Sequence, residues 1–119
     1  MGNVYISELT PNMFTGTIPA NGTLSQEFDL GSYSQFGLIY SGATNGTMSF
    51  QVSAKRDADG GTYQDLNLAA GTPVIAGPTG TGGAISSVVL QALAGYRFVK
   101  VKMSIAQSGV VTLNIPAKP

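Results

Sequence analysis

Several groups of side chains in this sequence have the types and spacing of a chemical site, and each lacks a part that its chemistry requires. Gly77 and Gly82 are spaced like the start of a phosphate-binding loop, whose backbone N–H groups cradle a nucleotide. That pattern continues with Lys and then Ser or Thr, whereas Gly83 and Ala84 stand here. No helix follows to lend its N-terminus to a phosphate. Asp57, Asp59 and Asp65 flank a glycine turn and are the right ligand type for calcium. Gly61 occupies the third ligand position, however, and no Glu closes the loop. Asp in such a turn is accounted for by bonding to its own backbone. Glu27 and Asp29 share one face of an alternating segment, as a glycosidase pair would require, but that face is expected to be solvated. Lys100 and Lys102 lie beside Phe98 on one strand face with Tyr96 nearby, a small version of the basic and aromatic surfaces that bind single strands of nucleic acid. The formal net charge of zero gives it little electrostatic pull.

The chain contains no His and no Cys. Imidazole- and thiolate-based nucleophile systems are therefore excluded, and so are the metal sites built on those ligands. Disulfides are excluded as well, which favours folding in a reducing cytoplasm. The reading is a non-enzyme with no cofactor and no metal. Asn21 and Asn45 each head an Asn-Gly-Thr triplet, and turn formation accounts for both. Gly2 follows Met1, but Ile6 stands where a myristoylation signal has Ser or Thr. Residues 1–14 lack the basic-then-apolar pattern of a signal peptide. No apolar run approaches the ~20 residues of a membrane helix.

Alternating segments must position these groups. Leu24, Gln26, Phe28 and Leu30 alternate with Thr23, Ser25, Glu27 and Asp29. Met48, Phe50, Val52 and Ala54 form a second such face. Val99, Val101, Met103 and Ile105 form a third, and Val111, Leu113 and Ile115 a fourth. A period of two puts one face in and one face out. Weaker strands are expected over residues 4–7, 36–40, 62–66 and 86–90. Asn21-Gly22, Asn45-Gly46 and residues 57–61 supply turns, the last as a hairpin tip. Residues 90–93 form at most a turn of helix. Residues 71–84 read as one long surface loop. About eight short strands with frequent turns predict an all-β, antiparallel β-sandwich or jelly roll. At 119 residues the chain makes a single core. Residues 18–119 are assigned to one β-sandwich domain and residues 1–17 to an N-terminal strand or arm. Phe28, Phe50, Val52, Val99, Val101 and Leu113 are expected inside.

Charged residues make up 10% of the chain, well below the ~25% usual in globular domains. A surface without net repulsion resists association weakly, so part of it is expected to be covered by partners. The contact surface is assigned to Tyr5, Ile6, Leu9, Met13 and Phe14 of the arm and to Gly77, Pro78, Thr79 and Gly80 of the loop. An extended arm can add to a neighbour's sheet edge.

The order of segments also carries a resemblance. Ile18-Pro19-Ala20-Asn21-Gly22-Thr23-Leu24-Ser25 leads to Phe28-Asp29-Leu30-Gly31 and then to Gly37-Leu38-Ile39. Met48-Ser49-Phe50-Gln51-Val52-Ser53 is followed by Gly60-Gly61-Thr62-Tyr63-Gln64-Asp65-Leu66. Gly95-Tyr96-Arg97-Phe98-Val99-Lys100-Val101 precedes a last strand with Val111-Thr112-Leu113. In this order the chain resembles small structural virion proteins of tailed bacteriophages. That resemblance implies a β-sandwich that decorates or cements a capsid in many copies. Its partners would be the major capsid protein or other virion subunits, with a homo-oligomer on the particle and no nucleic acid or membrane. Synthesis would occur in the host cytoplasm and residence on the capsid surface. The alternative is a carbohydrate- or receptor-binding β-module, since "GYRFVKV" also looks like sugar-binding jelly rolls.

Overall fold

The structure, a computed structural model, describes residues 12–31, 33–66, 74–75, 80–85 and 90–118. They form the strands β1 (Asn12–Ile18), β2 (Phe28–Asp29), β3 (Gln35–Phe36), β4 (Leu38–Thr44), β5 (Met48–Ser53), β6 (Gln64–Asp65), β7 (Val74–Ile75), β8 (Gly80–Ile85), β9 (Phe98–Met103) and β10 (Val111–Lys118). Two short 3-10 turns, η1 (Asp57–Asp59) and η2 (Gln91–Gly95), interrupt them. Two antiparallel sheets result, one ordered β1-β10-β4-β8 and the other β2-β9-β5-β6. β3 adds to β10 and β7 to β5. We call these sheet A and sheet B. The pairings β1 with β10, β2 with β9, β4 with β8 and β5 with β6 describe a chain doubled on itself and then rolled. That is the jelly-roll form of a β-sandwich.

Inward faces of both sheets supply one core. Ile18, Leu38, Val111, Leu113 and Ile115 come from sheet A, and Phe28, Met48, Phe50, Val99, Val101 and Met103 from sheet B. All six residues expected inside from alternation are buried. The burial pattern of β10 is strictly alternating, as a strand with one wet face requires. Residues 12–17, the described part of the expected arm or strand, belong to β1 and pair with β10 from Asn12↔Ala117 to Ile18↔Val111.

Besides the end of β5, where Ser53 is buried and Ala54 is exposed rather than inward, three segments depart from the expected pattern. The expected strand over residues 23–30 is reduced to Phe28–Asp29, because Ser25 turns inward and is buried while Leu24 faces out. The Ser25 amide donates to the Val101 carbonyl at 2.9 Å, and its Oγ accepts the Val101 amide at 2.8 Å. A hydroxyl thus takes the place of a backbone carbonyl in the ladder, a competition that Ser is suited to. Ile105 is not inward: β9 ends at Met103, and Ile105 is 45% exposed. The Ser104 amide donates to the Thr47 carbonyl, drawing the chain out of the sheet.

The third departure corrects the surface-loop reading of residues 71–84. Residues 74–75 pair with β5, and residues 80–85 form β8 beside β4. Glycine suits β8 for a packing reason. Gly83 is the cross-strand neighbour of Tyr40, and a Cβ there would lie 2.7 Å from the Tyr40 hydroxyl oxygen and 3.0 Å from its ring. The tyrosine therefore occupies the space that a side chain would need, a pairing known to stabilise glycine in strands.

A similar substitution of side chain for strand guards β1. The Gln26 amide nitrogen donates to the Thr15 carbonyl at 3.2 Å, and its oxygen accepts the Thr17 amide at 3.0 Å. One side chain thereby satisfies backbone groups that an edge strand would leave open. This fit requires Gly16, where a Cβ would fall 2.0 Å from the Gln26 nitrogen and 2.6 Å from the Phe28 ring. Gly16→Ala is expected to destabilise the domain by about 1–3 kcal/mol through overpacking. The comparison is chemical denaturation of parent and variant. Equal midpoints would show that Gln26 swings away at no cost.

Candidate functional site

Charge is distributed unevenly between the two sheets. The strands of sheet A contain one charged residue, Lys118, at the end of β10. Its outward rows are neutral. Thr15, Asn114, Ile39 and Ala84 lie abreast, as do Thr17, Thr112, Ser41 and Gly82. Met13 and Ile39 are 51% and 46% exposed on this face. Strand parity produces it directly, since alternate residues of β1, β4 and β10 are Thr, Ser, Asn, Met and Ile.

The outer side of sheet B and its hairpin carry the other described charges, and most are paired. Lys100 meets Asp57 at 2.8 Å and lies 4.3 Å from the centre of the Tyr63 ring, a cation–π contact. Glu27 accepts the Tyr63 hydroxyl and, at 2.8 Å, the Asp57 amide. Burial first, and then the Glu27 carboxylate, push the Tyr63 phenol well above its ordinary range. Lys102 reaches Asp65 at 3.6 Å, and Arg56 reaches Asp59 at 3.0 Å. Arg97 grips Asp29 with two bonds, of 2.8 and 3.1 Å, which hold that carboxyl below its usual value. Such exposed pairs add little stability individually. Their effect is to leave few unpaired charges on this side.

This arrangement bears on each candidate site. Asp57, Asp59 and Asp65 each bind a different cation, and among the described residues no three metal-ligating side chains gather. Glu27 is half-buried and Asp29 is exposed, and both carboxylates are engaged. The first is held by Tyr63 and the second by Arg97. Neither partner is near in sequence, so only the fold brings them together. Lys100 and Lys102 do share the outer face of β9 with Phe98, but both are tied to carboxylates and Phe98 is buried.

Of the residues assigned to partner contact, Tyr5, Ile6, Leu9, Gly77, Pro78 and Thr79 lie outside the described residues. Met13 faces outward on β1. Phe14 faces inward, packs against the core and meets Tyr33 edge-on at 5.8 Å between ring centres. Gly80 opens β8 opposite Thr44. Met13 and Gly80 therefore belong to the same sheet, on the strands at its two sides.

A groove that the sequence does not reveal opens where β6 meets the η2–β9 connection. It encloses about 860 Å³ and is lined by Val52, Ala54, Thr62, Gln64, Asp65, Leu66, Tyr96 and Arg97, among others. Gln64 is the cross-strand neighbour of buried Val52, so it stands at an inward position, yet it is exposed. Among the described residues, nothing closes the sandwich at this edge.

Fold and surface together define a jelly-roll β-sandwich with one neutral face and one internally paired face. No family model matches the chain, and no curated protein matches it in sequence. Among solved structures it is similar to the SPBc2 prophage-derived protein YomS, with 15% identity and a TM-score of 0.51 over 91% of this chain and 95% of that one. A Yersinia pseudotuberculosis-derived mitogen, YPM, overlaps at 17% identity with a TM-score of 0.34 over 91% of this chain and 86% of that chain. At such identity the likeness to YomS is one of fold.

Proposed function

We propose that this chain is a non-catalytic structural protein of a bacteriophage particle, a capsid decoration protein that binds the assembled shell in many copies. The observation that carries this reading is the neutral outer face of sheet A. Covering such a face removes no charge from water, so association avoids the desolvation cost that ionic surfaces incur. Many copies on a symmetric shell multiply weak contacts through high effective concentration. The fold shared with a prophage-derived protein supports the same reading. The absence of His and Cys from the sequence and the engagement of Glu27, Asp29, Asp57 and Asp65 in internal pairs support a non-catalytic role. The partners are the major capsid protein or neighbouring virion subunits, including further copies of this chain.

The test places a charge on each face in turn. Ile39→Glu puts a carboxylate at the middle of the neutral face, and Ser49→Glu puts one on sheet B opposite Lys102. Both variants should melt like the parent. Ile39→Glu is expected to lower occupancy on purified shells at least tenfold, because burying an unpaired carboxylate costs several kcal/mol. Ser49→Glu should bind as the parent does. Binding by the parent should persist across a salt series, since screening weakens only charge-driven contacts. Unchanged occupancy with Ile39→Glu would remove sheet A from the interface.

A further inference from the structure

The groove at the open edge of sheet B has a composition that the shell-binding reading leaves unused. Its floor is apolar, formed by Val52 and Leu66, each 7% exposed. Tyr96 stands at its rim with 42% of its surface open to solvent. Tyr96 is held by its backbone, whose amide donates to the Leu93 carbonyl at 3.0 Å, while no ring or hydroxyl partner is found among the described residues. Thr62 and Gln64 likewise present side chains without partners among the described residues. Asp65 accepts a hydrogen bond from Gln51 and pairs with Lys102 through one carboxylate oxygen, and its other oxygen has no partner among the described residues. Arg97 directs Nε and one terminal nitrogen to Asp29, keeping further N–H donors for a ligand.

These groups are a hydroxyl, an amide, a carboxylate and a guanidinium around an apolar floor with one exposed aromatic ring. A few convergent polar groups above an apolar surface are the general form of a small-molecule site. The formal charges of Asp65 and Arg97 cancel, and each is already matched by a partner, so the groove offers no net field to an ion. Its donors and acceptors instead suit a ligand that is itself both donor and acceptor on many sides, with an apolar face to lie on tyrosine. We propose that this groove binds a neutral saccharide, with Tyr96 as the platform and Gln64, Asp65 and Thr62 as hydroxyl partners. The groove is lined by residues of sheet B, its hairpin and the η2–β9 connection and by none of the outer rows of sheet A, so the proposal stands whether or not sheet A is the shell contact.

The experiment titrates the isotope-labelled full chain with glucose, galactose, mannose and N-acetylglucosamine at millimolar concentration, following backbone amide resonances. At least one sugar is expected to move the amides of Thr62, Asp65, Gly95 and Tyr96 in a saturable way. Tyr96→Ala should weaken that binding at least tenfold, whereas Tyr96→Phe should retain most of it, because the ring and not the hydroxyl supplies the platform. Tyr96 is exposed, so both variants should melt like the parent, and Ile39→Glu should bind sugar normally. Silence of these amides with every sugar would overturn the proposal. So would parental affinity in Tyr96→Ala.

Discussion

Phe50→Ala is expected to destabilise the domain by about 3–5 kcal/mol, a large part of the stability of a small protein. Phe50 is wholly buried at the middle of β5. It stands opposite Val101 of β9, and its carbonyl accepts the Leu66 amide at 2.8 Å. The ring thus lies where the two sheets face each other, with a central strand fixed on both sides. Removing it forfeits the transfer free energy of the ring and leaves a cavity that paired strands cannot readily close. Thermal melting should fall by more than ~10 °C, given roughly 4 °C per kcal/mol for a domain near this size. Urea unfolding should show a lower midpoint with an unchanged slope. A variant that melted with the parent would mean that the space between the sheets is not filled by this side chain.

The second large effect is expected at Gln107, a residue that no hydrophobic pattern marks. Its side chain is 1% exposed, and it joins three connections at one end of the sandwich. Its Nε2 donates to the Asn45 carbonyl at 2.8 Å and to the Ile105 carbonyl at 2.9 Å. Its Oε1 accepts the Asn45 amide at 3.0 Å. The backbone of the same residue accepts the Asn21 amide at 2.7 Å and donates to the Gly22 carbonyl at 3.1 Å. Gln107→Ala orphans three backbone groups and is expected to cost about 2–4 kcal/mol, since each buried unsatisfied group costs about 1–3 kcal/mol unless water reaches it.

Gln107→Glu sharpens the test through pH. A carboxylate can still accept from Asn45 but faces the two carbonyls to which the amide donated. Burial and those carbonyls should raise its folded-state pKa above the unfolded value of about 4.3. The raised pKa means that the folded protein holds the proton more tightly. The penalty is therefore small below the unfolded pKa and grows as pH rises past it. Gln107→Glu should unfold more easily at pH 7 than at pH 4 relative to the parent at the same pH. An equal deficit at both values would show that the side chain is hydrated in the variant.

The sequence alone determines the parts of this protein that depend on local period. Met48, Phe50 and Val52, and Val111, Leu113 and Ile115, alternate with polar residues. A strand of period two has no other way to bury them, so the all-β class and most of the core follow. The two Asn-Gly pairs are also legible as turns, and Asn21 and Gly46 do adopt positive φ, at 63° and 82°. The same periodicity yields the neutral outer rows of sheet A once the strand pairing is known. Tertiary structure decided what depends on a distant neighbour. Ser25 breaks an otherwise clean alternation because the ladder of β9 offers its hydroxyl an amide. Residues 80–85 pair as strand beside β4, where Tyr40 fills the space that a side chain on Gly83 would take. Glu27, the hairpin residues Asp57 and Tyr63, and Lys100 come from three separate stretches and meet only across the face of sheet B. The groove joins Thr62, Gln64 and Asp65 of one hairpin to Tyr96 and Arg97 of another connection. No spacing rule links them, because the distance between those segments is set by how the sheets roll and not by the chain between them.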